Sequence, residues 1–266
     1  MIIDLHHHLI AEDDYVDGLL RAMDATGVDQ VCLSGLGVPS GGWLPGLTPT
    51  NDDVAAAMHR HPERIIGFGV IRLGDDPPER IAQLHDAGFR GIKTTRPRAD
   101  YDDPRFDEHY ALAERLGMPV LFHTGMILPS PADRRDDVSS ARCRPVRLDR
   151  VARTFPELKM VMAHLGMPWH EEAAQMCRFH PNVYVDLSGS QQGWRNRKAP
   201  SFFADLFWWP GALDKIVFGS DVHWRELASA RGDHERILDL LNITDETRAA
   251  IFGGTASRLI GLEGAS

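Results

Sequence analysis

Short apolar runs alternate with amphipathic stretches along the whole chain, and this alternation is the strongest constraint on its fold. The runs are Ile2–His8, Gln30–Ser34, Ile65–Ile71, Gly91–Thr95, Val120–His123, Lys159–His164, Val183–Leu187 and Ile216–Phe218, and they read as strands. Between them Tyr15–Thr26, Asp52–Arg60, Pro78–Ala87, Arg105–Leu116, Leu148–Thr154, Glu171–Phe179, Ser201–Phe207 and Asp233–Leu241 read as helices. Thr244–Leu259 reads as one more terminal helix. The strands are continuous apolar runs, as in parallel sheets covered on both faces. Such repeated strand–helix units in 266 residues predict a (β/α)8 TIM barrel in one domain, 1–266. The rival is a doubly wound open sheet, which normally starts with a glycine-rich phosphate loop after its first strand. Histidines occupy that place here.

Proline marks three helix-to-strand joints, His61-Pro62, Phe155-Pro156 and His180-Pro181, because it cannot continue a helix. Two connections after strands are long: Gly35–Asn51, rich in Gly, Pro and Trp, and Met126–Val146, which carries Asp133-Arg134-Arg135-Asp136-Asp137. In a barrel both lie on the C-terminal face, where active sites are built, so they are expected to wall a substrate pocket.

Composition removes several classes. With 29 Lys and Arg against 38 Asp and Glu, the formal charge is −9, which gives no basic footprint for nucleic acid. No apolar stretch reaches the ~20 residues of a membrane span, and the first residues lack the pattern of a signal peptide. Cys32, Cys143 and Cys177 are odd in number and far apart, so no disulfide framework or zinc ribbon is indicated. The expected location is a reducing cytoplasm, the expected partner is a small-molecule substrate, and a homodimer is left open.

The chemistry sits at the strand ends. In Asp4-Leu5-His6-His7-His8, residues two apart on a strand share a face, roughly 6–7 Å from each other. His6 and His8 can therefore converge on one ion, while His7 points the other way. The native apolar residues around them argue against a tag remnant. Lys93, His123, His164 and Asp221 end other predicted strands. Each alone has an ordinary explanation: a core imidazole, a lysine reaching solvent or a helix cap. In a barrel they all meet at one mouth. Imidazoles and a carboxylate are borderline ligands that suit zinc, and less selectively iron, manganese or cobalt. Zinc with an open position lowers the pKa of a bound water to about 7.

The chain resembles the amidohydrolase superfamily, specifically the group containing aminocarboxymuconate-semialdehyde decarboxylase and 2-pyrone-4,6-dicarboxylate lactonase. The resemblance rests on Ile3-Asp4-Leu5-His6-His7-His8 as Asp-x-His-x-His, Gly91-Ile92-Lys93, Phe122-His123-Thr124-Gly125, Ala163-His164-Leu165-Gly166-Met167-Pro168-Trp169 and Phe218-Gly219-Ser220-Asp221. Arg144-Pro145-Val146-Arg147-Leu148-Asp149 adds to it. It implies that His6, His8, His123 and Asp221 hold one divalent metal, most often zinc. Asp221 is then general base, and His164 orients water or polarises the substrate. In binuclear members a carbamylated lysine at the end of strand four bridges two ions. Lys93, His123 and His164 fit that pattern as well, although one metal and an unmodified Lys93 are typical of the group this chain most resembles.

Arg72, Arg96, Trp43, Trp169 and His223 follow predicted strands and are further candidates for substrate contact; Trp194 and Trp224 fall in the same face. The reading is a metal-dependent hydrolase of a small carboxylate-bearing lactone, amide or related cyclic compound. Non-oxidative decarboxylation on the same site is the alternative. A non-catalytic binding barrel is the rival of a different class, against which the complete ligand set argues.

Overall fold

The computed structural model describes residues 1–37, 46–189 and 193–262. All the predicted strands are present: β1 Ile3–His8, β2 Gln30–Ser34, β3 Ile65–Val70, β4 Gly91–Thr94, β5 Val120–Phe122, β6 Met160–Met162, β7 Val183–Asp186 and β8 Ile216–Val217. They pair in parallel and in chain order. Just past β8, the Phe218 carbonyl accepts the Leu5 N–H at 3.0 Å and joins the last strand to the first. The predicted TIM barrel is thus borne out.

The helices are α1 Tyr15–Thr26, α2 Asn51–Arg60, α3 Glu79–Asp86, α4 Asp107–Arg115, α5 Asp133–Asp136, α6 Asp149–Thr154, α7 His170–Phe179, α8 Pro200–Leu206, α9 Leu227–Leu240, α10 Asp245–Ala249 and α11 Thr255–Leu259. Local chemistry sets their ends. Gly27 closes α1 at φ 66°, with its N–H on the carbonyls of Asp24 and Met23; a side chain there would be strained. Asp53 accepts the Thr50 N–H at 2.7 Å to start α2. α2, α6 and α7 each stop just before the prolines that the sequence marked. α9 starts at Leu227 rather than at Asp233, because buried Leu227 and Ala230 extend the apolar stripe of Ile237 and Leu238 through Gly232. None of the described helices is long and apolar enough to cross a membrane.

Inside the barrel Ile3, Leu5, Cys32, Ile66, Phe68, Leu121, Val161 and Val217 form one buried cluster, closed from below by Ala256, Leu259 and Ile260. The outer core lies between strands and helices. In β1 the register against β2 shifts between Asp4 and His7. Ile3 and Leu5 face the interior, and strict alternation would carry that face on to His7. The bulge turns His6 and His8 inward instead.

The predicted helix Thr244–Leu259 is broken into α10, a wide turn at Ala250–Gly254 and α11. The turn seals the bottom of the barrel: the Ile251 carbonyl accepts the Phe218 N–H at 2.9 Å. A Cβ on Gly253 would lie 2.2 Å from the Met1 carbonyl oxygen, so this position demands glycine. Gly253→Ala is expected to cost about 1–3 kcal/mol, the scale of overpacking, and to lower Tm by about 2–4 °C per kcal/mol. An unchanged melting curve would show that the N-terminal strand yields at no cost.

Candidate metal centre

Every side chain that the sequence placed at a described strand end reaches one mouth. A cavity of about 140 Å³ is lined by His8, Lys93, Thr95, Arg96, His123, His164 and Asp221, with Leu36, Leu47, Ile127 and Leu128 as an apolar wall. His6 lies beneath, fully buried. Arg96, His164, Leu165 and Asp221 have φ of 52°, 87°, 36° and 48°. Such left-handed backbone is uncommon outside glycine and gathers where surrounding structure fixes a functional group.

The protons on β1 decide what this mouth can hold. Asp186 Oδ1 accepts the main-chain N–H groups of His164 at 3.0 Å and Ser188 at 2.9 Å. Its Oδ2 faces His6 Nδ1 at 2.9 Å. A carboxylate accepts, so His6 carries its proton on Nδ1 and leaves Nε2 as a lone pair. His8 Nδ1 lies 2.9 Å from Ser34 Oγ, whose own proton goes to the His7 carbonyl at 3.3 Å. His8 therefore also turns a lone pair inward through Nε2. The two Nε2 atoms stand 3.2 Å apart, and Asp221 Oδ1 is 3.3 Å from His8 Nε2 and 3.7 Å from His6 Nε2. Ligand atoms of these three residues all lie within 4.8 Å of one another. Three electron-pair donors converge with no proton between them, which is the donor set of a cation site. Lys93 Nζ, 2.9 Å from His6 Nε2, supplies one positive charge there.

His123 and His164 form a second pair. His123 Nδ1 is 3.2 Å from His164 Nε2, and His123 Nε2 is 3.3 Å from the Met126 carbonyl. His164 Nδ1 contacts Ser188 Oγ at 2.6 Å and lies 3.7 Å from Asp221 Oδ2.

Burial keeps the imidazoles neutral. It depresses His6, helped by Lys93, and it depresses His8; it also depresses His123, helped by His164, and carries His164 down to about 4. Burial opposes the charge on Asp221, and the lowering pull of His6, His8 and His164 on its carboxyl acts only when one of those rings carries a proton toward it. Burial brings Lys93 down to about 8. Neutral rings beside an ionised carboxylate are the protonation states that ligation requires.

The sequence profile of the amidohydrolase family matches residues 3–262. The chain belongs to the amidohydrolase family. Among solved structures, an uncharacterized TIM-barrel protein from Bordetella bronchiseptica has 21% identity and a TM-score of 0.72, covering 98% of each chain. A probable 2-pyrone-4,6-dicarboxylic acid hydrolase from Acinetobacter baumannii, with citric acid bound, has 16% identity and a TM-score of 0.67, covering 98% of this chain and 99% of that one. A dihydroxybenzoic acid decarboxylase from Polaromonas, with bound manganese and 2-nitroresorcinol, has 18% identity and a TM-score of 0.68, covering 99% and 98%. A 69-residue segment is 29% identical to protein fluG of Emericella nidulans; it covers 26% of this chain and 7% of that much longer protein.

Other candidate residues of this amidohydrolase lie apart from the cavity. Arg72 is held by Asp75 at 2.9 Å, with Asp136 at 3.8 Å, in a neighbouring depression. Trp169 stacks under the Arg144 guanidinium at 5.2 Å. His223 Nε2 contacts Glu12 at 3.1 Å, and its ring packs on Tyr15. Trp224 fills the space over Gly18, and Trp194 donates to the Ser188 carbonyl. Trp43 lies outside the described residues. Arg96 does line the cavity, and donates to Asp133 and, at 2.6 Å, to the Leu128 carbonyl.

Sequence reasoning missed the layer behind the ligands: Asp4, Ser34, Asp186, Ser188 and Ser220. Asp4 accepts the Ser220 N–H at 2.8 Å and its hydroxyl at 2.5 Å, which ties β1 to the turn carrying Asp221. Asp186 is the penultimate residue of the predicted strand Val183–Leu187 and the last of β7, and that position was its only available signal. Asp186→Asn is expected to weaken zinc binding about 10–100-fold, the scale for an outer partner of a ligating histidine. Competition against a chelator measures it. Unchanged affinity would show that His6 keeps its tautomer unaided.

Proposed function

We propose that this amidohydrolase is a metal-dependent hydrolase of a small carboxylate-bearing lactone, amide or related cyclic compound. The observation that carries the reading is the convergence of His6 Nε2, His8 Nε2 and the Asp221 carboxylate, while the two Nδ1 atoms rest on Asp186 and Ser34. His6, His8 and Asp221 would hold one divalent ion, zinc first and manganese, iron or cobalt after it, with His123 from the end of β5, across the mouth, as the fourth ligand expected from the family resemblance. When bound, such an ion acidifies water and polarises a carbonyl. Asp221, kept ionised, takes the proton of the attacking water. His164 faces the same space and steadies charge growing on the carbonyl oxygen. Lys93 and Arg96 line the cavity and give a substrate carboxylate its counter-charge. Leu36, Leu47, Ile127 and Leu128 receive its apolar part.

A second arrangement of the metal draws on His123 Nδ1 and His164 Nε2, which face each other at 3.2 Å. It places a second ion on that pair with a carbamylated Lys93 as bridge. Decarboxylation is the second reading of the chemistry; the apolar wall suits a flat aromatic carboxylate, the substrate class named for several structures of this fold.

Metal analysis of purified, zinc-supplemented protein is expected to give about one ion per chain, and His6→Ala or Asp221→Ala to lose it. Close to two ions, lost together with Lys93→Ala, would move the assignment to the binuclear form. No bound metal under either zinc or manganese would overturn the proposal. A panel of lactones and aromatic carboxylates, read by acid release and carbon dioxide, separates hydrolysis from decarboxylation. On the substrate so found, His164→Asn is expected to retain zinc and lose roughly 10²-fold in kcat, the scale of one acid–base or oxyanion contact. Lost zinc with an unchanged rate per bound ion would make His164 a ligand instead.

A further inference from the structure

Two adjacent side chains grip three consecutive carbonyls in the turn that follows β7. Trp194 Nε1 donates to the Ser188 carbonyl at 3.3 Å. Arg195 Nη1 donates to the Leu187 carbonyl at 2.7 Å and the Gly189 carbonyl at 3.0 Å. Arg195 is itself buried, and its Nη2 is anchored on Asp233 of α9 at 3.0 Å. Asp233 also accepts from Asn196 Nδ2 at 2.9 Å. On the opposite side the Gly189 N–H donates to the Ser220 carbonyl at 3.0 Å, next to Asp221.

At the centre of this grip is Ser188. Its hydroxyl lies 2.6 Å from His164 Nδ1 and 3.2 Å from His6 Nδ1. Burying a guanidinium opposes folding, and an apolar side chain of similar volume would pack at lower cost. What Arg195 adds is directional: donors in a fixed fork that pin the main chain on both sides of one serine. A neutral imidazole carries a single ring proton, and the partner of one nitrogen selects the nitrogen that bears it. With the His6 proton on Nδ1, the Ser188 oxygen faces a donor at 3.2 Å and can direct its own proton to His164 Nδ1. That leaves the His164 proton on Nε2, facing the His123 Nδ1 acceptor at the mouth. This selection works only while the hydroxyl stays within hydrogen-bond range, where tenths of an ångström matter.

We propose that Arg195, assisted by Trp194, is a positioning residue that fixes Ser188 and so holds the His164 ring in one tautomer facing the cavity. The proposal rests on His164 being a working group of the site described above, but its test needs neither substrate nor turnover.

The measurement is the ring ¹⁵N spectrum of zinc-loaded, ¹⁵N-histidine-labelled protein, with the His164 signals assigned by their disappearance in His164→Gln. Wild-type protein is expected to show one dominant tautomer at His164. Ser188→Ala is expected to lower the tautomer ratio about tenfold, the equilibrium worth of one hydrogen bond. The double variant Arg195→Met with Asp233→Leu removes the buried pair together and is expected to lower it similarly, with zinc content unchanged. If that variant does not fold, Trp194→Phe removes one donor and is expected to give a smaller shift in the same direction. A mixed tautomer in the wild type would overturn the proposal. So would a ratio that falls in Ser188→Ala but stays at the wild-type value in the folded clamp variants. Protein that binds no zinc would sink the functional reading while leaving the tautomer measurement intact.

Discussion

Two imidazole nitrogens stand 3.2 Å apart, and with the ring protons held on Nδ1 by Asp186 and Ser34 they form a repulsive contact that the rest of the mouth must offset. Nearby Asp221 adds a negative charge instead of relieving it. Only positive charge resolves the arrangement. In the protein alone Lys93 provides part of it from 2.9 Å, and a divalent ion would provide more at shorter range. The barrel therefore holds a destabilised donor set in place, and strain of this kind persists only where the surroundings over-determine it.

Those surroundings are a second ring of carboxylates and hydroxyls. Asp186 from β7 fixes the His6 proton and two main-chain N–H groups. Asp4 from β1 binds both polar groups of Ser220, and the Asp221 N–H donates to the His6 carbonyl at 2.7 Å. The Asp4–Ser220 and Asp221–His6 bonds join β1 to the turn after β8, and the Asp186–His6 bond crosses from β7 to β1, contacts that only the closed barrel brings together. Closing the sheet and aiming the ligands are thus the same physical event, and an open sheet with these residues would lose both.

Much of this was legible before any coordinates. The alternation of apolar and amphipathic segments carried the fold, because parallel strands buried on both faces leave a continuous apolar signature. The strand-end residues carried the mouth, because a barrel brings the C-terminal strand ends together. Two kinds of information were hidden. The bulge in β1 changes which alternation faces inward, and no residue type announces it: His6 and His8 share a face with or without it, but only the bulge makes that face the inner one. The partners of Asp186, Ser188 and Arg195 were hidden for a different reason. They are long-range contacts between ordinary polar residues, and spacing along the chain says nothing about them. Arg72, Trp169 and His223 show the converse: a position after a strand puts a residue on the right face of the barrel without aiming it at the centre, and local partners took each of them.

The long connection after β5 divides the work differently from the strands. Ile127 and Leu128 form part of the cavity wall, while the segment behind them is fastened by charge. Arg98 donates to the Asp136 carbonyl at 2.7 Å and to its carboxylate at 3.3 Å. Arg135 contacts the same carboxylate at 2.9 Å, and Arg135 and Arg98 hold Asp136 down to about 2 against its burial. Arg142 binds back to the carbonyl and the carboxylate of Asp137, each at 2.6 Å. A wall anchored by ion pairs and carbonyl contacts can change its apolar tip without disturbing the strands beneath. Donors fixed by the barrel would hold the ion, and the replaceable tips of such loops would set which molecule reaches it. That separation explains why the strand-end pattern points to a metal-binding mouth more sharply than to a reaction or a substrate.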